Sequence, residues 1–370
     1  PTEIYLHSKP VNVSLWDILC TMIDFKSAYI SYLSLQKVGH KVREERNIFA
    51  EAALKMDEKK EEDLFPFLTQ AFRRNMDAYH FSHYTEKLEF NVVYSLMQEM
   101  FEEKIDFLDF SHEILAHLFE KSLHPQIKSG EVFIAFFDNI RYGDITTQGI
   151  GIFKLENKKK YIRFDESKNI DYFIQKGYKL EKIDKAAFVV NAQKDDGYIV
   201  FSVDDLQNES EYWKKSFLEI TAVNDNRYQT KQYLHLMNQF AEEVVLERND
   251  KQTQANFLSQ TLHLLTMNEM VTDEMIQSQV VEQFELVDDY KKFKTQYAED
   301  FKIEFDTAFE VNKPSLVKES KKIKSEIKLD TNIILKIDLM AADAAEDYLE
   351  KGYDENKKMF YYKVFFNTEQ

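Results

Sequence analysis

Every residue from Val132 to Phe137 is apolar. Successive side chains of a strand point to opposite faces, so a strand here puts Val132, Ile134 and Phe136 on one side and Phe133, Ala135 and Phe137 on the other. Both faces then need cover, which predicts a central strand rather than an exposed edge. The run is framed by turn residues. A helix is expected to end near His124-Pro125, a polar turn follows at Lys128-Ser129-Gly130, and Gly143-Asp144 separates the run from a second one at 147–155. The two strands should face each other across that turn.

The rest of the 370-residue chain can supply the cover, with 44% hydrophobic residues, 30 Phe and 20 Tyr. Only 8 Gly and 5 Pro argue against low complexity. The net charge is −17, although by count residues 22–50 carry +2, 151–200 carry +3 and 351–370 carry +1. Such a surface repels nucleic acid and acidic membranes at long range. Screening confines that repulsion to a Debye length of about 8 Å at physiological salt, so a local basic face can still act. Cys20 is the only cysteine, which excludes an internal disulfide and a thiolate metal cage. No apolar run of about 18 residues is present, so no membrane span is expected. A reducing, cytoplasmic setting fits these features.

A strand is expected at 28–38. Helices follow from Asp63, with Pro66 in the first turn, at 85–103 and at 106–122. Strands are expected at 131–138, 147–155, 160–164, 187–192 and 197–203, and a short helix at 169–178 ending on Gly177. Beyond the polar run 204–210 the pattern turns helical, at 211–219, 227–246, 252–266, 271–281 and 283–297. A helix at 314–328, capped by Asn312, comes next. A strand at 331–338, a helix at 342–351 stopped by Gly352 and a strand at 359–366 close the chain. The class is α+β: an N-terminal domain (22–205) with a mixed or antiparallel sheet plus helices, then a mainly helical C-terminal domain (206–370) with a small terminal β element. Residues 1–21 read as a non-native or upstream extension that adds little to the core.

No catalytic signature emerges. In the HEILAH segment His112 and His117 are five apart, which at about 100° per residue separates them by about 140° on a helix, too far to share a metal. His80 and His83 could share a helix face but lack a third ligand. Neither a phosphate-binding glycine loop nor a nucleophile elbow is present. Gly149 and Gly151 lie in a strand, where glycine marks a bulge or a close approach. Adjacent acids such as Asp195-Asp196 diverge and form no acid–base pair. The chain does not read as an enzyme, and no cofactor is implied.

Two groups of lysines stand out. Lys158, Lys159 and Lys160, with Lys154 and Arg163 near, sit on a turn flanked by strands. They read either as a solvated hairpin tip or as a loop that follows a phosphate backbone. On a helix over 314–328, Lys318, Lys321, Lys322, Lys324 and Lys328 fall within an arc of about 160°. Leu316, Ile323 and Ile327 cluster on another face, and Glu319 and Glu326 sit apart. That pattern fits an ordinary amphipathic helix or a basic binding face.

The order of the segments LSLQKVGHK (33–41), HPQIKSGEVFIAFF (124–137), GIGIFK (149–154), YWKKSFL (212–218), LDTNIILKIDL (329–339) and KGYDENKKMFYYKVFFN (351–367) resembles the 37-kDa nucleoid-associated proteins of bacteria, most closely the Bacteroidetes-type branch. The resemblance runs from about Met22 to Gln370. It implies a cytoplasmic, nucleoid-located protein that binds double-stranded DNA with little sequence specificity, as a homodimer, alongside other nucleoid proteins, and it supplies no catalytic residues. The alternative is a protein-interaction adaptor that reaches the nucleoid through a DNA-bound partner, which fits the acidic balance and the aromatic content.

Overall fold

The computed structural model describes residues 2–6, 23–73, 76–165, 171–204, 212–323, 325–337, 339 and 349–365. By packing, the chain forms two compact units, one of residues 18–223 and the other of 224–370 together with 1–17. The fold is α+β.

The first strand, β1 (Thr2–Leu6), belongs to the second unit and is taken up below. In the first unit, β2 (Ile23–Asp24), β3 (Tyr29–Val38), β4 (Ala78–Phe81), β5 (Gly130–Tyr142), β6 (Ile145–Leu155), β9 (Lys185–Val190), β10 (Ile199–Asp204) and β11 (Ile220–Ala222) build an antiparallel sheet in the order β11-β4-β10-β9-β6-β5-β2, with β3 also on β5. The central position expected for the Val132–Phe137 run holds. β5 lies between β6 and β3, and all six residues are buried. Val132, Ile134 and Phe136 pack with residues of the helices Val92–Phe101 and Phe107–Glu120. Phe133, Ala135 and Phe137 pack on the other side with Phe67 and Leu68 of the helix Glu58–Thr69. Gly143 takes a left-handed φ of 57° in the β5–β6 turn, which glycine adopts without steric cost.

Local caps move several boundaries. Asp57 accepts from Lys60 N and starts its helix ahead of Asp63, leaving Pro66 inside the helix rather than in its first turn. Asn91 accepts from Tyr94 N, so the expected 85–103 helix begins at Val92. The helix expected at 169–178 is instead a strand, β8 (Asp171–Gly177), paired with β7 (Lys159–Asp165) in a two-stranded ribbon. Tyr172, Phe173 and Ile174 are consecutive and apolar, which local periodicity cannot assign, and the cross-strand partner decides. The boundary expected near 206 falls outside the described residues. Tyr212–Leu218 is a π-helical segment that buries Trp213, Phe217 and Leu218 in the first unit's core.

In the second unit, the helices Asn226–Phe240, Lys251–Met267 and Val287–Phe301 surround a core containing Tyr233, Phe240, Phe257 and Tyr290. The expected helix at 314–328 is shorter. It runs Lys313–Ser320 behind its Asn312 cap, and Glu326–Lys328 forms β14. β14 pairs antiparallel with β15 (Ile333–Ile337), burying Ile327 opposite Leu335, and β1 pairs parallel with the other edge of β15. Five residues of the segment expected to stand apart are therefore in a ladder, while 7–22, with Trp16 and Cys20, lie outside the described residues. Residues 349–351, expected to be helical, open β16 (Leu349–Asp354), which pairs with β17 (Met359–Val364); the remaining 342–348 are outside the described residues. Two short strands, β12 (Met270–Thr272) and β13 (Ala308–Glu310), pair with each other. No helix among the described residues is long and apolar enough to cross a membrane.

Candidate nucleic-acid interface

The β7–β8 ribbon leaves the main sheet at the end of β6, and a buried set of charges fixes its root. Lys154 is fully buried; its Nζ donates to Glu156 Oε1 at 2.7 Å, to the Lys128 carbonyl at 2.6 Å and to the Tyr212 hydroxyl at 3.0 Å. Lys185, also buried, pairs with Asp204 at 2.8 Å, and both ammonium groups lie 5.4 Å from the Tyr212 ring centre. Burial pushes the Lys154 ammonium below its usual range, against the pull of Glu156. Lys154 is thus part of the architecture and unable to reach a ligand.

The three successive lysines next to it separate once their partners are known. Lys158 donates to Glu131 and lies 5.3 Å from the Tyr178 ring centre. Burial raises the Glu131 carboxyl, but hydrogen bonds from Lys158 and Tyr178 outweigh it and hold the group below the carboxylate range. Lys158 is therefore neutralised within the fold. Lys159 and Lys160 are exposed residues of β7. The ladder sets Lys160 directly opposite Lys176 and Lys159 opposite Gly177, with Ile162 opposite Ile174, Arg163 opposite Phe173 and Phe164 opposite Tyr172. Directly opposed residues share a face, with Cβ atoms about 5 Å apart. Lys160 and Lys176 thus form an exposed like-charge pair, with no carboxylate partner among the described residues. Lys176 escapes a reading of the sequence that makes 169–178 helical; the signal that could have found it is its match to Lys160 once 159–177 is drawn as a hairpin.

The second lysine group is not one helical face. The chain leaves the helix after Ser320 through turn bonds from Lys322 N to Glu319 O and from Ile323 N to Ser320 O. Lys318, on the helix, and Lys321, just after it, are exposed. Lys322 pairs with Glu319 at 2.7 Å. Lys328 is exposed on β14, 3.8 Å from Glu326, and Lys324 lies outside the described residues. Glu319 does not sit apart on the surface: it is buried and takes a hydrogen bond from His235 as well. Burial alone would raise its carboxyl; His235 and Lys322 pull it down to about 2.

The histidines serve separate partners. His112 Nε2 meets the Ala50 carbonyl at 2.8 Å and His117 Nε2 the Phe217 carbonyl at 3.2 Å. His80 lies in β4, not on a helix, and meets Gln193, while His83 meets Thr85. Among the described residues no cluster of His, Cys, Asp or Glu could hold a metal ion. An open cavity of about 460 Å³ is lined by Ser82, His83, Lys121 and Glu219 among others. There Lys121 pairs with Glu219 at 3.3 Å, the Ser82 hydroxyl donates to the Glu219 carbonyl, and His83 Nδ1 meets the Thr85 hydroxyl at 2.7 Å.

The molecule is thus an α+β protein that carries, on a β-ribbon standing off its main sheet, exposed cations with no carboxylate partner among the described residues. The chain belongs to the NA37 family, described as nucleoid-associated protein YejK, whose model matches residues 35–361. No curated protein matches it.

Proposed function

We propose that this protein associates with duplex DNA at the nucleoid, in the cytoplasm, through phosphate contacts that read little sequence and involve no covalent chemistry. Membership of a nucleoid-associated family supports the setting. The observation that carries the chemistry is the opposition of Lys160 and Lys176 across the β7–β8 ladder. Like charges directly opposite each other are destabilising, and an anion between them removes the repulsion. Lys159 and Arg163 add charge to the same ribbon, and Lys318, Lys321 and Lys328 form a second set in the other unit. Lysines on a ribbon follow a backbone without reaching base edges, so binding is sequence-tolerant. The net charge of −17 makes the attraction local and salt-sensitive.

Equilibrium binding to unrelated duplexes across a salt series tests this reading. Each lost phosphate contact lowers the slope of log K against log salt by roughly 0.9. Lys160→Glu with Lys176→Glu is expected to weaken binding to every duplex alike and to flatten the slope, and Lys318→Glu with Lys321→Glu reports on the second set. Unchanged affinity and slope in the ribbon variant removes the ribbon as the site. A wild-type protein that fails to bind at low salt removes direct association. The adaptor reading, in which a DNA-bound partner recruits this protein, then takes its place.

A further inference from the structure

The lysine pair occupies only the root end of its face of the β7–β8 ribbon. Opposed residues share a face and side chains repeat every second residue, so Lys160–Lys176, Ile162–Ile174 and Phe164–Tyr172 follow one another along the same side. Ile162 and Ile174 are 59% and 64% exposed, and Phe164 and Tyr172 are 64% and 61% exposed. The other face differs: Tyr161 lies against Gly177 and donates to Gln175 at 3.0 Å, so it is partly covered from within. Among the described residues the ribbon pairs with no further strand. A contiguous apolar surface left in water marks an interaction site, and this one runs straight on from a pair of exposed cations.

We propose that the ribbon is a wedge: with Lys160 and Lys176 on the phosphates, Phe164 and Tyr172 enter between two base pairs from the minor groove, and the duplex kinks at that step. This rests on the DNA reading above and adds to it a change in the shape of the DNA. Charge selects the occupant, because Lys159 to Phe164 carry three cations and no acid in a chain of net charge −17. Phosphate contacts alone leave the isoleucines and aromatic rings in water. The broad apolar surfaces of a duplex are the faces of its bases, and these are stacked, so an apolar side chain reaches them only where a step opens. At about 3.3 Å per residue the aromatic pair lies about 13 Å from the lysine pair. The cations can therefore hold the backbone at the rim while the rings occupy a step beyond it. Pyrimidine–purine steps such as TA open most easily, which gives the wedge a mild preference for them although no base edge is read.

The test uses the full-length protein and a duplex of about 30 base pairs with a central TA step and a donor and an acceptor dye at its ends. Binding of the wild type is expected to raise energy transfer, as a kink of about 20–90° would. 2-Aminopurine placed at the central step is expected to brighten as it unstacks. A mismatch at the centre removes part of the unstacking cost, and the wild type is expected to prefer that duplex about tenfold. Phe164→Ser with Tyr172→Ser changes two exposed side chains and empties no core. This variant is expected to keep the salt slope of binding, to leave energy transfer at the value of free DNA and to lose the mismatch preference. Phe164→Trp with Tyr172→Trp keeps apolar rings in both places and is expected to restore the kink. A wild type that binds the duplex without raising energy transfer overturns the wedge and leaves the phosphate reading standing, whereas one that binds no duplex at low salt overturns both. A serine variant that still kinks DNA also overturns the wedge. If that variant in addition loses binding to vesicles of phosphatidylcholine and phosphatidylserine in equal parts, the apolar face belongs to a lipid surface instead.

Discussion

Lys322 Nζ donates to Glu319 Oε2 at 2.7 Å, across the end of the helix Lys313–Ser320. The exposed ammonium covers a buried carboxylate that His235 also reaches, at 3.2 Å. Burial alone would raise Glu319 above its ordinary 4.5, but hydrogen bonds from His235 and Lys322 outweigh it and hold the group at about 2. Its folded value is depressed, so its stabilising contribution is present above 4.5 and is lost as the pH falls towards 2. The urea midpoint of the wild type is expected to drop between pH 6 and pH 3 by more than that of Glu319→Gln. Equal drops in the two proteins would show that the carboxylate contributes nothing.

His117 reports on acid sensitivity in the other unit. Burial lowers its value below the ordinary 6.5, against the raising effect of its bond to the Phe217 carbonyl. The unfolded chain therefore takes up the proton first, and stability should decline as the pH falls through 6.5. An NMR titration is expected to place the imidazole midpoint below that value. His117→Gln, which keeps a donor for Phe217, should flatten the decline between pH 7 and pH 5.

The root of the ribbon can be examined by a double-mutant cycle. Lys154→Met leaves the Glu156 carboxylate, whose side chain is 5% exposed, without its ammonium. Stranding one member of a buried pair costs about 3–5 kcal/mol. Removing both members with Lys154→Met and Glu156→Leu should cost clearly less than the sum of the two single changes, as read from chemical denaturation. Additive losses would show that the pair is not coupled.

Phe137 lies 5.3 Å from Phe188 and 6.1 Å from both Phe25 and Phe65, measured between ring centres, and has no exposed surface. Phe137→Ala should therefore cost about 3–5 kcal/mol, the usual penalty for emptying a packed aromatic site. Tyr84, 90% exposed, is the control, and Tyr84→Ala should change stability by no more than about 0.5 kcal/mol. Similar losses in the two variants would place Phe137 outside the core.

Gly197 combines a φ of 105° with a backbone neighbour, the Phe81 carbonyl oxygen, 2.4 Å from where a Cβ would lie. Neither constraint can be relieved by turning a side chain. Gly197→Ala is expected to lower the melting temperature far more than Gly143→Ala, where the space is open and only the positive φ is strained. Equal shifts would mean that the turn before β10 yields without cost.

Burial was legible in the order of residues alone. Six successive apolar residues at Val132–Phe137 have no polar side to show, so β5 had to be central. Asn312 and Pro314 likewise fixed the start of a helix, because a cap and a first-turn proline act within a few residues of the site they specify. Folding in three dimensions settled the remainder, wherever a segment's state depends on a partner far away in the chain. Glu326–Lys328 carries helical spacing yet pairs with Ile333–Ile337, since burying Ile327 opposite Leu335 and completing a ladder outweighs local propensity. The same cause dissolved the five-lysine face and created another pair. Lys160 and Lys176 are sixteen positions apart and acquire a shared face only through the β7–β8 register, which no local pattern of charge contains.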